Sequence, residues 1–306
     1  MPPPQGFVNL DKPAGITSRK AGDAVARCFG RKLAAGHAGT LDPAATGVLP
    51  VAIGGATRLL EFLAGLDKEY RGTVRLGLAT DTDDAQGRPL GEERPVEVSR
   101  GEVEAALDSF RGEVMQRPPD FSAIKRGGRA AHKLARGGGK PRLEPRPAVY
   151  RELELLRFEP PEVEVRTLVS KGTYIRALAR DLGEKLGCGG HLAALRRTRV
   201  GGFSIESAVA LDDLRALAAG ERAGERLLPA REALPGLSCL TAGDELLRSI
   251  RRGQRRPLAD FAASAETAPA GARCLLLDAA GRALALAEVV DAGDGELLVQ
   301  PRKRIR

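Results

Sequence analysis

The chain has 306 residues, of which 42% are hydrophobic, and it carries a formal net charge of +8. This length suits two domains, or one large domain with an appendage, and the apolar content excludes an intrinsically disordered protein. No apolar run approaches the roughly 20 residues that cross a bilayer, so we exclude a helical membrane protein. The excess positive charge indicates a polyanionic partner such as nucleic acid.

The positive charge is concentrated in one part of the sequence. Residues 111–151 contain eleven Lys and Arg against three Asp and Glu, so their net charge of 11 − 3 = +8 equals that of the whole protein. Residues 116–147 are also rich in Gly and Pro, as is typical of a functional loop that orders on a partner. We expect the basic side chains of this stretch to contact phosphates. They include Lys125, Arg126, Arg129, Lys133, Arg136 and Arg146.

The cysteines and the first residues bear on the cellular compartment. Cys28, Cys188, Cys239 and Cys274 are far apart and form no C-x-x-C pair, which argues against a zinc or thioredoxin-like site and indicates reduced thiols. The start, MPPPQGFVNLDKP, lacks the basic and apolar regions of a signal peptide. We therefore expect a cytoplasmic protein.

The first predicted elements are a strand and a helix. Phe7–Leu10 is apolar and ends at DKPAG, residues 11–15, a composition typical of a turn. Thr17 or Ser18 then caps a helix that runs to Gly30.

Asp42 lies in the next stretch, GHAGTLDPAATGVLP, residues 36–50. An Asp directly before Pro is typical of a helix N-cap, which predicts a helix after Asp42. The glycines around it let a ligand approach the backbone, which favours a nucleophile at the mouth of a site. Both interpretations stay open, because a capping turn also holds a carboxylate in place. His37 has no second ligand at metal-binding spacing, so we predict no metal site there.

The middle of the chain predicts a helix over residues 56–66 and then a half-buried strand. Lys68–Leu78 alternates, with Tyr70 on the inward face, where a core role is the usual one. The following loop, TDTDDAQG at residues 80–87, resembles a calcium loop. However, Ala85 and Gln86 stand where a ligand and the required glycine should be, so we expect a solvated turn.

The remaining elements predict an α+β protein with a largely antiparallel sheet, because strands and helices are interspersed at irregular spacing. A helix is expected over 96–110, strands over 149–156 and 163–169, a helix that Gly187 ends, and a further helix over 211–219. At the start of the helix before Gly187, Tyr174 and Arg176 suit an anionic ligand. Residues 219–235 are expected to be a linker. The tail, residues 236–306, predicts a helix over 242–251 and strands over 272–277, 283–289 and 296–299, forming a second domain of about 70 residues.

Seven blocks in order resemble the TruB family of tRNA pseudouridine synthases and cover about residues 6–215. They are Asp11–Ser18, Gly36–Gly47, Lys68–Tyr70, Thr80–Asp83, Arg117–Pro119 with Ser122–Lys125, Lys171–Arg176 and His191–Arg197. The resemblance implies a pseudouridine-synthase fold over residues 1–235, with a large, mainly antiparallel mixed sheet flanked by helices. It also implies a basic, thumb-like insertion at about 117–147 that clamps the T-loop of tRNA. From about Gly236 the chain is similar, more loosely, to a PUA domain, a small RNA-binding β-barrel.

The resemblance further implies the isomerisation of uridine 55 in the T-loop to pseudouridine, with no cofactor. Asp42 falls on the catalytic aspartate, Tyr70 on the aromatic residue that stacks on the target base, and Arg176 on the arginine that pairs with the aspartate. His37 falls on the histidine that fills the gap left by the flipped base, and Leu195 on an apolar residue of the active site.

Tyr174 joins this set as a further base-binding residue. We expect a monomer that binds the T-arm of tRNA, needs no protein partner and does not contact a membrane. Three other hypotheses remain open: a non-catalytic RNA-binding or tRNA-folding module, a guide-RNA-dependent pseudouridine synthase and a DNA-binding protein. The long basic insertion argues against the guide-dependent branch.

Overall fold

The computed structural model describes residues 3–30, 33–122, 143–261, 268–293 and 295–305, together with the backbone of 125–126 and 129–130. Lys125, Arg126 and Arg129 are therefore described only as parts of a two-stranded hairpin, in which Lys125 pairs with Ala130. Lys133 and Arg136 lie outside the described residues. Their predicted contacts with RNA stay predictions.

The α-helices of the described part follow the predicted pattern at most positions. Thr17 accepts a hydrogen bond from the N–H of Lys20 (3.2 Å) and so caps the first helix, as expected. The helices are α1 (Ser18–Cys28), α2 (Leu60–Ala64), α3 (Arg100–Asp108), α4 (Ile175–Lys185), α5 (Leu211–Ala219), α6 (Ala230–Ala233) and α7 (Asp244–Arg251).

The strands outnumber the helices, which agrees with the predicted α+β class. They are β1 (Gly6–Lys12), β2 (Ala35–His37), β3 (Thr46–Ile53), β4 (Lys68–Leu76), β5 (Gly112–Gln116), β6 (Lys125–Arg126), β7 (Arg129–Ala130), β8 (Arg146–Glu159), β9 (Glu162–Val169), β10 (Gly190–Val200), β11 (Phe203–Ser204), β12 (Val209–Ala210), β13 (Ser238–Thr241), β14 (Arg256–Pro257), β15 (Arg273–Leu277), β16 (Ala283–Asp291) and β17 (Leu297–Arg304).

The chain forms two compact units. The first contains Met1–Pro43, Val48–Ala64 and Gly202–Arg306, and the second contains Ala44–Gly47 and Gly65–Gly201.

In the first unit, β1 lies between β12 and β3, and β2 pairs with β3 in antiparallel fashion. β1 and β12 are parallel, with Leu10 opposite Val209. The apolar face of α1 packs on these strands through Ala21 and Val25, which have no exposed surface. This packing holds the start of the chain beside the segment that leads to Asp42.

The tail of the chain has a sheet and a core of its own within the first unit. The strand order is β13-β15-β16-β17-β14, and α7 covers the sheet through Leu247 and Ile250. The side chain of Gln5 donates a hydrogen bond to the carbonyl of Ala283 (2.6 Å), and Lys303 lies 3.3 Å from Glu61. The boundary at residue 236 and the likeness to a PUA domain stay predictions.

In the second unit, five strands in the order β10-β4-β9-β8-β5 are antiparallel to their neighbours. α4 packs against β10. Thr46 and Gly47 at the start of β3 pair in parallel with Arg196 and Arg197 of β10. The predicted fold class, a large and mainly antiparallel mixed sheet with helices, is confirmed.

The helix predicted after Asp42 is wrong, because residues 46–53 form β3. All but the first of these residues are buried, and the continuous apolar run over residues 48–53 fits a central strand better than an amphipathic helix. The predicted linker at 219–235 is also wrong. It contains α6, and Leu228 exchanges two backbone hydrogen bonds with Phe7 (2.8 and 2.7 Å), which fixes this segment to β1.

Candidate active site

Asp42 lies in an irregular loop whose backbone is held by two buried side chains of the segment 12–18. The Ser18 hydroxyl accepts a hydrogen bond from the N–H of Leu41 (2.8 Å) and donates one to the carbonyl of Leu41 (2.9 Å). The Lys12 ammonium donates to the carbonyl of Pro43 (3.2 Å). Lys12 and Ser18 are 0% and 1% exposed, whereas Asp42 is half-buried. The backbone on both sides of Asp42 is thus held by hydrogen bonds.

His37 enters this loop from β2. It is the last residue of that strand, opposite Val51 of β3, and is partly buried. Among the described residues, no group of three or more His, Cys, Asp or Glu side chains has an arrangement that could hold a metal ion. Within the same residues, no helix is both long and apolar enough to span a bilayer.

Tyr70, Leu195 and the start of α4 meet on one face of the sheet in the second unit. Tyr70 and Gly72 both point inward from β4, and Tyr70 is 7% exposed. A Cβ atom added to Gly72 would lie 3.6 Å from Leu195 Cδ1 and 3.5 Å from Ile175 Cγ2. Leu195 and Ile175 therefore lie over Gly72 of β4, two residues away from Tyr70, at the distance of ordinary van der Waals contact.

Arg197 is part of this arrangement, although we did not select it from the sequence. It pairs with Tyr70 across β10 and β4, has no exposed surface, and its guanidinium carbon lies 6.0 Å from the centre of the Tyr70 ring. Lys68, two residues before Tyr70, is also buried, and burial together with the charge of Arg197 lowers the pKa of its ammonium to about 8. Tyr70 thus has buried positive charge beside it, which suits an anionic substrate.

Arg176 is buried at the start of α4 and contacts two chain segments. Its guanidinium donates to the carbonyls of Thr82 (3.0 Å) and Phe121 (3.1 Å), and its Nε lies 3.7 Å from a carboxylate oxygen of Asp84. The Thr82 hydroxyl in turn donates to Asp84 (2.6 Å). These contacts fix the orientation of the guanidinium. The predicted pairing of Arg176 with Asp42 stays a prediction.

The loop at residues 80–87 is not the solvated turn that we expected. Asp83 is mostly buried and adopts φ = 60°, a left-handed conformation that Asp tolerates. Its carboxylate lies 2.9 Å from Arg180, and burial raises the pKa of Asp83 to about 6 although Arg180 opposes this shift. Leu192 of β10 holds the loop by donating to the carbonyl of Asp83 (3.0 Å) and accepting from the N–H of Ala85 (3.0 Å).

Tyr174 is the N-cap residue of α4, and its backbone is fixed by Gln116. The side-chain amide of Gln116 donates to the Tyr174 carbonyl (3.0 Å), while the N–H of Tyr174 donates to the Gln116 oxygen (2.9 Å). The Tyr174 residue itself is half-buried. Arg146, the one described side chain of the predicted RNA-binding set besides His37, is exposed at the start of β8.

Family models match most of the chain. Residues 27–175 match the TruB family pseudouridylate synthase (N terminal domain), and residues 176–235 match the tRNA pseudouridylate synthase B C-terminal domain. The chain is similar to a tRNA pseudouridine synthase B of Parasynechococcus marenigrum, with 50% identity over 69% of this chain and 72% of that protein. It is 42% identical to one from Burkholderia mallei over 92% of both chains.

Solved structures agree on the fold. A Cbf5-Nop10-Gar1 complex contains a chain that superposes with a TM-score of 0.72 at 27% identity, covering 98% of this chain and 85% of that one. An H/ACA RNP bound to a substrate RNA containing 2′-deoxyuridine gives the same TM-score and coverage at 24% identity. The predicted family is confirmed: the chain belongs to the TruB family of pseudouridylate synthases, and it is an isomerase.

Proposed function

We propose that this enzyme acts on tRNA and isomerises uridine 55 in the T-loop to pseudouridine, with Asp42 as the catalytic residue. The observation that carries the proposal is the support of Asp42 within the family block Gly36–Gly47. Ser18 holds the residue before it and Lys12 the residue after it. The relatives named tRNA pseudouridine synthase B support tRNA as the substrate.

The reaction requires the uracil to leave the base stack. Unstacking costs a few kcal/mol, and a single-stranded loop such as the T-loop lowers this cost. Stacking of the base on Tyr70 contributes roughly 1–3 kcal/mol. Leu195 and Tyr174 complete the binding of the base, and His37 fills the gap that it leaves.

The chemistry breaks the N1–C1′ bond and joins C5 to C1′, while the proton on C5 is replaced by one on N1, so no atoms are gained or lost. Asp42 supplies the carboxylate that this exchange needs. In the proposed site the guanidinium of Arg176 pairs with the carboxylate of Asp42 and orients it toward the uridine. No redox or group-transfer step occurs, and the reaction calls for no cofactor.

The decisive variant is Asp42→Asn, which keeps the shape of the side chain but removes its charge. We expect the single-turnover rate on an unmodified tRNA transcript to fall by at least about a thousandfold, because the reacting group is lost. We expect tRNA affinity to stay within about threefold, because the backbone supports of the loop remain. Pseudouridine is mapped by carbodiimide modification and primer extension.

Asp23→Asn, which changes an exposed Asp of α1 in the same unit, is the matched control and should retain full activity. Substantial activity of Asp42→Asn would contradict the assignment of the catalytic residue. A product at any uridine other than position 55 would contradict the substrate. Activity of the purified protein on a T-arm stem-loop, with no other RNA or protein present, separates this proposal from guide-dependent modification.

A second role, tRNA binding that aids tRNA folding, is favoured by the concentration of the whole net charge in residues 111–151. This role depends on affinity and not on Asp42. In cells that lack the enzyme and grow poorly without it, the Asp42→Asn variant would then restore growth as well as the wild type does. Failure to restore growth would assign the cellular role to catalysis.

A further inference from the structure

The buried face of α4 carries two arginines one helical turn apart, Arg176 and Arg180. The side chain of each is 8% exposed. Arg180 uses all three edges of its guanidinium: Nε donates to Asp181 (2.9 Å), Nη1 to the carboxylate of Asp83 (2.9 Å) and Nη2 to the carbonyl of Arg117 (2.8 Å). A lysine carries its three N–H donors on a single nitrogen, so it cannot reach acceptors that lie around three separate nitrogens of a guanidinium.

Both arginines hold the same two segments of the chain. Arg176 contacts the carbonyls of Thr82 and Phe121, while Arg180 contacts Asp83 and the carbonyl of Arg117. The loop 80–84 and the segment 117–121 are thus each attached to α4 at two points. In the sequence, Thr82 is next to Asp83, and Phe121 is four residues after Arg117.

The loop 80–84 is held partly by its contact with Arg180. Asp83 has φ = 60°, a left-handed conformation that Asp adopts more readily than most residues and that its contacts here hold in place. Its carboxylate is bound by Arg180 and its carbonyl by Leu192. The residues on either side of Asp83 are Thr82 and Asp84, the two loop residues that contact Arg176.

We propose that Arg180 is a positioning residue for the isomerase reaction. By holding Asp83 and the carbonyl of Arg117, it fixes the positions of the groups that orient the guanidinium of Arg176. These groups are the carbonyls of Thr82 and Phe121 and the carboxylate of Asp84. The inference rests on the proposed function, in which Arg176 pairs with Asp42. A purely structural ion pair would affect stability alone. A positioning pair also affects the orientation of the Arg176 side chain and the rate of the chemical step.

The first test does not depend on activity. The Nε–H resonance of Arg176 is recorded by nitrogen-15 NMR and assigned by its loss in Arg176→Lys. We expect Arg180→Gln to shift this resonance or broaden it, because the acceptors around Arg176 move. Lys185→Gln, which removes a positive charge from the exposed side of the same helix, should leave it unchanged. An unchanged Arg176 resonance in folded Arg180→Gln overturns the proposal.

The second test measures the reaction under single-turnover conditions with enzyme in excess. We expect Arg180→Gln to slow the chemical step by about 10- to 100-fold, because small displacements of a catalytic group have effects of this size. The Kd for tRNA should change by less than about threefold. In an Arg176→Lys background the same substitution should have no further effect. An equal loss of rate in both backgrounds overturns the proposal.

Asp83→Asn covers the case in which Arg180→Gln fails to fold. It removes only the charge of the partner, and Asn also tolerates the left-handed conformation. We expect the same effects on the Arg176 resonance and on the rate, with smaller size. A wild-type protein that forms no pseudouridine refutes the proposed function, while the NMR test still decides whether Arg180 positions Arg176.

Discussion

Lys68 shows how a single residue of the site responds to its surroundings. It lies two residues before Tyr70 on the inward face of β4, is 7% exposed, and donates a hydrogen bond to the carbonyl of Leu66 (2.7 Å). Burial and the nearby charge of Arg197 lower its pKa from 10.5 to about 8. The charged form is therefore less favourable in the folded protein than in the unfolded chain.

This shift predicts a pH dependence of stability with an unusual sign. Between about pH 8 and pH 10.5 the unfolded chain binds more protons at Lys68 than the folded protein does. The contribution of Lys68 to the free energy of unfolding therefore rises with pH across this window, by up to about 3 kcal/mol. Urea unfolding of the wild type and of Lys68→Met at several pH values measures the difference.

The free energy of unfolding of the wild type minus that of Lys68→Met should rise from pH 8 toward pH 10.5. Lys20→Met, which removes an exposed ammonium from α1, controls for the change from Lys to Met. If the value for the wild type minus that for Lys68→Met stays constant or falls with rising pH, Lys68 is not desolvated in the folded enzyme.

At the residue scale, the sequence predicts those parts of the site whose signals are local. Asp42, Tyr70 and Arg176 stand in short blocks with recognisable spacing. Ser18 was selected only as a possible helix cap, yet its hydroxyl holds Leu41, 23 positions further along the chain. Nothing in the local sequence indicates that Arg197, with basic neighbours at 196 and 199, becomes fully buried beside Tyr70.

At the scale of the secondary-structure elements, the sequence does not predict the pairing of β3 with β10. Asp-Pro imitates an N-cap, so the sequence predicts a helix where β3 forms, and the basic second half of β10 conceals that strand. A strand in the middle of a sheet normally consists mainly of apolar residues. Here the polar side chains of β10 are accommodated by contacts, such as that of Arg196 with the hydroxyl of Thr46 (3.3 Å), that only the assembled sheet supplies.

Gly47 is the point at which β3 approaches β10 most closely. It has φ = +102°, and a Cβ atom at this position would lie 2.1 Å from the carbonyl oxygen and 2.8 Å from the nitrogen of Arg197. A side chain fits only if the two strands separate. We expect Gly47→Ala to lower the free energy of unfolding by at least about 2 kcal/mol, from backbone strain together with the clash.

Urea unfolding of Gly47→Ala tests this expectation, and Gly101→Ala is the matched control. Gly101 lies in α3 with nothing within 4 Å of an added Cβ atom, so this second change should stabilise the protein by about 0.5–1 kcal/mol. The two substitutions therefore have opposite expected signs. A Gly47→Ala protein as stable as the wild type would mean that β3 and β10 are not in this register.

At the scale of the whole molecule, the charge distribution predicts where RNA binds. The excess of +8 lies in residues 111–151. At the two ends of this segment Arg111 and Arg151 lie 2.9 Å from Asp108 and 2.6 Å from Asp67. Arg146 is exposed and lies inside the predicted clamp, where a phosphate can reach it.

We expect Arg146→Gln to weaken tRNA binding several-fold and to reduce the slope of log K against log salt by about 1, because one phosphate contact is lost. Filter binding between roughly 50 and 200 mM salt gives both quantities. Arg100→Gln is the control, since Arg100 is an exposed arginine of α3 that pairs with Glu104 (2.8 Å) outside this segment. An unchanged slope for Arg146→Gln would remove Arg146 from the RNA interface.

The way in which Lys12 and Ser18 hold the Asp42 loop has a consequence for redesign. Their contacts with residues 41 and 43 are made to main-chain atoms, which every amino acid provides at position 43 and every amino acid except proline provides at position 41. These contacts are therefore encoded upstream, in residues 12–18, and none of them is made to the side chain of residue 42. We expect a different functional group at position 42, such as a thiol or an unnatural carboxylate, to leave these three hydrogen bonds in place.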